Sequence, residues 1–199
     1  MSAEADQVDG ARRHFLLVAT AAVGAVGAVA TAVPFLASWR PSARAKAMGG
    51  PVEADISKLQ AGELMKVEWR GQAIYIVRRT EAMLAGLAAN DAHLRDPKSA
   101  ESEQPTFAKN EARALKPEYL VLVGVCTHLG CAPLGKFEPG DATVAADWPG
   151  GFYCPCHGSK FDLSGRVFKD VPAPLNLTVP PYSFGVNDTL VIGAETGAA

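Results

Sequence analysis

The sequence has little excess charge of either sign, because 19 lysines and arginines stand against 21 aspartates and glutamates, a formal net charge of −2. This balance argues against a nucleic-acid-binding protein, which normally shows a basic patch, and we expect no nucleic-acid partner. The length of 199 residues is too short for two large domains. A hydrophobic fraction of 48% with 20% charged residues argues against wholesale disorder, so we expect one folded domain with an appendage.

Charge is missing altogether from residues 15–36, a run of 22 residues rich in alanine and glycine. As an α-helix this run would extend about 33 Å, at ~1.5 Å per residue, and a bilayer core is roughly 30 Å thick. Trp39 and Arg40 follow, as expected for an anchor at the membrane interface. The pattern predicts a single transmembrane helix over residues 15–37.

Paired arginines, Arg12 and Arg13, precede the apolar run. The stretch ARRHFLL is similar to a twin-arginine export signal, which predicts that residues 1–14 are a cytoplasmic N-terminus. Ala45-Lys46-Ala47 has the A-x-A form of a cleavage site, so removal of the segment is one interpretation. Retention as an anchor is the other, and the length of the run favours it, because export signals have apolar regions of only ~7–15 residues.

Residues 38–50 show no hydrophobic periodicity and end in Gly49 and Gly50 before Pro51. This composition is typical of a linker, which serves either as a passive spacer or as a hinge. We therefore place the folded domain at residues 51–199.

Short strand-like segments with frequent glycine and proline follow the linker. Residues 65–69 and 73–78 flank Arg70-Gly71-Gln72 and predict a β-hairpin. Residues 119–125 and 151–153 are β-rich, and each segment leads directly into a cysteine. The pattern predicts an all-β domain of small antiparallel sheets.

Helical structure is expected only as short insertions in this domain. Apolar spacing in residues 80–94 predicts a short helix. Residues 96–116 are polar and predict a surface excursion, with a helical turn near residues 111–116.

Cysteine is scarce, and all four cysteines lie in two short segments together with two of the four histidines. The first box, C-T-H-L-G-C, and the second box, C-P-C-H-G-S, contain the candidate functional residues Cys126, His128, Cys131, Cys154, Cys156, His157 and Ser159. Each box follows a predicted strand, so these side chains should lie on loops at one end of a sheet.

Three chemistries use cysteine and histidine in this way. Two cysteines and two histidines suit tetrahedral zinc, but the spacings are unlike those of a zinc finger and two cysteines are left over. A disulfide framework suits an exported domain but gives the histidines no function. A [2Fe–2S] cluster with two cysteines on one iron and two histidines on the other uses both residue types.

The two boxes resemble those of Rieske iron–sulfur proteins. With the twin-arginine start, the apolar run, the linker and the proline-rich segment Pro172-Ala173-Pro174-Leu175-Asn176-Leu177, nearly the whole chain is similar to the Rieske subunits of cytochrome bc1 complexes, the quinol–cytochrome c reductases. The resemblance implies an all-β Rieske-type domain that binds one [2Fe–2S] cluster, with its cluster-binding part at about residues 124–175.

By this resemblance four side chains ligate the cluster, two cysteines on one iron and two histidines on the other, namely Cys126, Cys154, His128 and His157. The other two cysteines, Cys131 and Cys156, form a disulfide between the loops. Ser159 corresponds to a serine that donates a hydrogen bond to a bridging sulfide.

The resemblance also implies a subunit that takes one electron from quinol and passes it to cytochrome c1. His157, or else His128, would accept a hydrogen bond from quinol and then its proton. The implied partners are cytochrome b, cytochrome c1, quinol and the membrane. The implied setting is a dimeric complex of the bacterial inner membrane, with the Rieske head on the periplasmic side.

Two alternative functions remain open at this stage. One is the Rieske subunit of another exported oxidoreductase, such as arsenite oxidase. The other is a structural zinc or disulfide module with no redox role.

Two positions depart from the family pattern. The residue two positions after Ser159 is usually a tyrosine that donates a hydrogen bond, and here it is Phe161, which predicts a lower reduction potential. The proline-rich segment usually begins with glycine, and here Val171 stands in that place, which makes the local backbone geometry an open question.

Overall fold

The computed structural model describes residues 9–194, and the chain divides into two units between Ala47 and Met48. The first unit contains helix α1 (Gly10–Ser38), and α2 (Ala43–Met48) lies within the segment expected as a linker. The described part of the second unit contains nine short strands, one short α-helix and two 3₁₀ turns. In chain order they are β1 (Val52–Asp55), β2 (Leu64–Trp69), β3 (Gln72–Arg78), α3 (Glu81–Ala85), the 3₁₀ turns Ala88–His93 and Thr106–Ala108, β4 (Tyr119–Val123), β5 (Leu134–Lys136), β6 (Gly151–Tyr153), β7 (Lys160–Phe161), β8 (Tyr182–Phe184) and β9 (Thr189–Ile192).

Between Phe15 and Leu36, helix α1 carries no charged residue and is apolar on all sides. Asp9 caps its N-terminus, where the carboxylate accepts hydrogen bonds from the amides of Ala11 at 3.0 Å and Arg12 at 3.4 Å. Its most apolar window has a mean hydropathy of 2.2, and none of the helix residues is buried against other parts of the described chain. An apolar surface on every side is typical of a helix surrounded by lipid. The expected N-terminal apolar helix is confirmed, with the length and composition needed to cross a membrane.

The second unit is built from three antiparallel sheets of three strands each, in the orders β1-β9-β8, β2-β3-β4 and β5-β6-β7. One continuous apolar core draws side chains from all three sheets, including Ile76, Leu122, Phe152, Tyr182 and Leu190. The expected all-β class with small antiparallel sheets is confirmed.

The β2–β3 hairpin has a two-residue turn. Arg70 and Gly71 both have positive φ, 53° and 72°, which is the backbone geometry that matches the twist of the two strands. Gln72 already pairs with Trp69. The predicted hairpin is therefore confirmed, with a turn one residue shorter than expected.

The expected helical insertions differ from those observed. The helix predicted over residues 80–94 ends at Ala85, and a separate 3₁₀ turn forms at Ala88–His93, because Gly86 interrupts the helical segment. Near residues 111–116, where a helical turn was expected, the chain forms a single hydrogen-bonded turn from the Arg113 amide to the Asn110 carbonyl at 3.1 Å, and the 3₁₀ turn lies earlier, at Thr106–Ala108. Residues 96–116 are a surface excursion only in part, because Glu103 and Glu111 are exposed while Arg113 and Ala108 are fully buried.

Candidate metal centre

The two boxes fold into the same six-residue loop. In the first, the Gly130 amide donates to the Cys126 carbonyl at 3.0 Å, and the Cys126 amide donates to the Cys131 carbonyl at 2.7 Å. In the second, the matching bonds run from Gly158 to Cys154 at 2.9 Å and from Cys154 to the Ser159 carbonyl at 2.8 Å. Glycine occupies the fifth position of each loop with φ of 83° and 75°, a conformation that other residues rarely adopt.

The strands place these loops side by side. Cys126 follows β4 by three residues, and Cys154 follows β6 directly. A disulfide joins Cys131 to Cys156 and thereby links the two loops. The disulfide expected from the family resemblance is confirmed.

The remaining cysteines and the histidines differ in their exposure to solvent. Cys126 and Cys154 are free thiols, each only 2% exposed. His128 is partly exposed and His157 is exposed, and their ring centroids lie 4.7 Å apart with the rings nearly perpendicular. The centre therefore has thiols on its inner side and imidazoles at the surface.

The Cys126 thiol lies in a dry environment. Burial raises its pKa, and contacts with the Cys154 thiol act in the same direction, while the His128 amide and the Ser159 side chain act to lower it. Two thiols held together in such surroundings are stabilised as thiolates only when a cation neutralises them. This environment suits a pair of metal ligands.

The chemistry of the donors distinguishes ligands from the disulfide. The Cys154 sulfur lies within 4.8 Å of the Cys131 and Cys156 sulfurs. Because disulfide sulfurs do not form thiolates, Cys131 and Cys156 are not suited to hold a metal. Two buried thiols and two adjacent imidazoles remain, and this donor set fits a [2Fe–2S] cluster of mixed ligation.

The proline-rich segment forms a third wall beside the loops. Ser159 is fully buried, and its hydroxyl oxygen accepts a hydrogen bond from the Ala173 amide at 3.1 Å. The Ser159 hydroxyl therefore keeps its own proton for donation to another acceptor. The Thr127 hydroxyl donates to the Leu175 carbonyl at 2.6 Å. Both boxes are therefore tied to the same segment.

The two departures from the family pattern have distinct structural settings. Phe161 is fully buried and pairs with Phe152 across β7 and β6, so this position offers no hydrogen-bond donor from its side chain. The left-handed backbone conformation falls on Asp170, with φ of 58°, and not on Val171, which packs partly buried against the core. Aspartate tolerates this conformation better than a branched residue such as valine.

Sequence reasoning missed a buried ionic network below the second box. Arg166 donates to Asp162 and to the Leu87 carbonyl, each at 2.8 Å, and both charged side chains are buried. Arg79 donates to the Leu163 carbonyl at 2.9 Å and to the Ser164 hydroxyl at 3.0 Å. Burial lowers the pKa of Arg79 to about 10. These bonds fix the turn after β7, and no local pattern in the sequence marks them.

Comparisons with known proteins agree with this geometry. The family model "Rieske [2Fe-2S] domain" matches residues 51–182, and the model "Ubiquitinol-cytochrome C reductase Fe-S subunit TAT signal" matches residues 2–42. The match favours the cluster over a zinc or disulfide module and confirms the expected [2Fe–2S] cofactor. It also confirms the expected twin-arginine signal.

The similarity to individual relatives extends over nearly the whole chain. The ubiquinol–cytochrome c reductase iron–sulfur subunit of Allochromatium vinosum is 53% identical over 98% of this chain and 94% of its own length. That of Blastochloris viridis is 45% identical over 96% of this chain and 98% of its own. A chain of a solved hyperthermophilic respiratory Complex III is 26% identical over 88% of this chain and 98% of its own, with a TM-score of 0.48. The chain belongs to the Rieske [2Fe–2S] family and, within it, to the iron–sulfur subunits of ubiquinol–cytochrome c reductase.

Proposed function

We propose that this chain is the electron-transfer subunit of a quinol–cytochrome c oxidoreductase, in which it takes one electron from quinol and passes it to cytochrome c1. The observation that carries the proposal is the pair of matched loops, which bring two buried thiols and two surface imidazoles together in a chain 53% identical to such a subunit.

We assign the ligands as the family resemblance implies. Cys126 and Cys154 would hold the inner iron, and His128 and His157 the outer iron. A bound [2Fe–2S] cluster supplies a one-electron redox centre, and histidine ligation raises its potential above that of an all-cysteine cluster. The buried Cys126–Cys154 side excludes water, while the imidazoles face the surface where a substrate arrives.

The histidines also carry the proposed proton step. A ligating imidazole has a second ring nitrogen, and at the exposed His157 this nitrogen is available to a quinol hydroxyl. It accepts a hydrogen bond from that hydroxyl and then its proton as quinol loses an electron. His128, which is less exposed, is the alternative acceptor of the quinol proton.

The surface around the histidines fits an apolar partner. No Asp, Glu, Lys or Arg occurs in residues 126–135 or 152–159, and Leu129 and Leu134 are 71% and 44% exposed. Exposed leucines in an uncharged surface are typical of a protein interface. We assign this surface to cytochrome b and cytochrome c1 as partners, within a dimeric complex.

The N-terminal segment supports the proposed location. The twin-arginine signal and helix α1 support a single-pass subunit of the bacterial inner membrane with its head on the periplasmic side. We propose that the segment is retained rather than cleaved at Ala45-Lys46-Ala47, because α1 is longer than an export signal requires.

We propose that residues 38–50 are a hinge that lets the head visit two redox partners. The chain divides into its two units inside this segment. Proline substitutions at residues 43–50 should therefore slow turnover of the assembled complex and leave the midpoint potential unchanged. Unchanged turnover would show that residues 38–50 do not act as a hinge.

The direct test of function is turnover in membranes from cells that lack the native subunit. The full-length chain should restore quinol-dependent reduction of cytochrome c, and a His157→Ala variant should not. Restoration by the variant while it keeps its cluster would exclude the proton step at His157. Turnover with arsenite but not quinol would favour the alternative oxidoreductase.

A further inference from the structure

Tyr75, in the middle strand of the β2-β3-β4 sheet, contacts the segments that adjoin the two boxes, although neither box contains it. Its side chain is 2% exposed. It contacts three segments that adjoin different cysteines, and each contact lies two residues from one of them. This placement distinguishes Tyr75 from an ordinary core side chain.

The first contact involves the backbone before Cys126. A Cβ atom placed on Gly124 would lie 2.4 Å from the Tyr75 ring, so the chain leaving β4 lies directly against the ring. The Gly124 amide also donates to the Ala73 carbonyl at 2.7 Å, which holds this stretch against β3. Only glycine allows so close an approach.

The second contact involves the strand before Cys154. The Phe152 ring stacks on the Tyr75 ring, with centroids 6.2 Å apart and an interplanar angle of 20°. Phe152 is fully buried in β6, which leads into the second box. The Tyr75 ring therefore lies between the approaches to both free thiols.

The third contact is polar. The Tyr75 hydroxyl donates a hydrogen bond to the Pro133 carbonyl at 2.9 Å, and Pro133 is buried two residues after Cys131. A buried carbonyl that loses its donor carries a free-energy cost, so this bond restrains the chain leaving the disulfide.

We propose that Tyr75 is a positioning residue for the cluster site, whose ring sets the spacing of the two box loops and whose hydroxyl keeps the Cys131–Cys156 disulfide closed over the site. The inference rests on the proposed function, because it presumes that the boxes hold the cluster. It concerns loop geometry and does not place Tyr75 in contact with substrate.

The variant Tyr75→Phe removes the hydroxyl and keeps the ring. In the full-length, cluster-loaded protein in detergent, we expect dithiothreitol to reduce the Cys131–Cys156 disulfide about five-fold faster in Tyr75→Phe than in wild type. Loss of one buried hydrogen bond shifts a local opening equilibrium by about that factor. Alkylation followed by mass spectrometry measures the rate at that disulfide.

The matched control is Tyr182→Phe. Tyr182 is also fully buried, and its hydroxyl accepts a hydrogen bond from the Leu115 amide at 2.9 Å, a partner that does not adjoin either box in the sequence. This variant loses a comparable bond, so a rate within about two-fold of wild type is expected. An unchanged rate in Tyr75→Phe, or an equal rise in both variants, would overturn the proposal.

Iron content separates this inference from the proposed function. If purified wild type holds no cluster, the proposed function fails and the cluster-positioning role fails with it, even where Tyr75→Phe opens the disulfide selectively. If wild type holds its cluster and the two variants behave alike, the positioning role fails alone.

Discussion

The Asn176 side-chain amide donates a hydrogen bond to the Asp96 backbone carbonyl at 2.9 Å, across 80 residues of sequence. Asn176 belongs to the proline-rich segment, and its backbone amide donates a hydrogen bond to the Ser102 hydroxyl oxygen at 3.0 Å. The Ser102 hydroxyl in turn donates to the Asp96 carboxylate at 2.7 Å. One buried polar network therefore joins residues 96–102 to the wall of the cluster site.

Asp96 makes this network sensitive to pH. Burial acts to raise its pKa, but the Ser102 hydroxyl and the amides of Ala100, Glu101 and Ser102 outweigh burial and hold the pKa below its ordinary value of 3.8. A carboxylate with a lowered pKa in the folded state stabilises the protein above about pH 4, and the stabilisation is lost as the pH falls through the folded-state pKa.

We predict that Asp96→Asn lowers the free energy of unfolding at neutral pH by about 1–3 kcal/mol, because donors that bonded a carboxylate lose that partner. The difference from wild type should shrink as the pH falls below about 4 toward the lowered folded-state pKa of Asp96. Asp147→Asn, at an exposed position, is the control and should stay within about 0.5 kcal/mol of wild type. Equal effects of the two substitutions would contradict a structural role for the network.

The disulfide should contribute mainly through the unfolded chain. Cys131 and Cys156 are 25 residues apart, and a chain-entropy model assigns a loop of this size about 3–4 kcal/mol. The double variant Cys131→Ser with Cys156→Ser should lower the melting temperature of the Rieske domain by roughly 6–12 °C in calorimetry. Dithiothreitol should lower the melting temperature of wild type by a similar amount and leave that of the double variant unchanged. A lower melting temperature in both proteins would show that the reductant acts on another group.

Phe161 should lower the reduction potential relative to tyrosine-bearing relatives. A hydroxyl at this buried position would stabilise the more negative reduced state if it donated to a ligand sulfur. We predict that Phe161→Tyr raises the midpoint potential by about 20–60 mV, the equivalent of one hydrogen bond per electron. Phe152→Tyr, at the position paired with Phe161, is the control in the same redox titration. An unchanged midpoint potential in Phe161→Tyr would refute the assignment of position 161 as the site of the missing hydrogen-bond donor.

Trp69 should fix the point at which the linker joins the folded head. Its indole nitrogen donates to the Gly50 carbonyl at 3.0 Å, and the ring is 6% exposed. We predict that Trp69→Phe increases amide hydrogen exchange at residues 49–52 by about two- to ten-fold, because one buried hydrogen bond is lost. Trp148→Phe, which loses a comparable bond to the Lys136 carbonyl, should leave that exchange unchanged.

Much of the site was predictable because its signals are local. The boxes, the strands that lead into them and the β2–β3 hairpin follow from residue types at short spacing, and the Cys131–Cys156 pairing followed from family resemblance. The structure supplies what spacing alone could not, namely that both boxes adopt one backbone loop with its glycine at the fifth position.

Other features depend on contacts between distant residues. Residues 96–116 looked like a solvent-exposed loop because they are polar, but Asp96 and Ser102 are buried against Asn176. Tyr75 looked like one of several strand residues, and only the fold brings Pro133 to its hydroxyl. Local composition does not reveal a partner 58 or 80 residues away.

The ligand assignment is tested most directly by electron paramagnetic resonance of the reduced, purified protein together with iron and sulfide analysis. We predict two irons and two acid-labile sulfides per chain and hyperfine couplings from two ligating histidine nitrogens, with loss of one coupling or of the cluster in a His128 or His157 variant. A folded protein that is colourless and free of iron, or a spectrum of an all-thiolate cluster, would contradict the account.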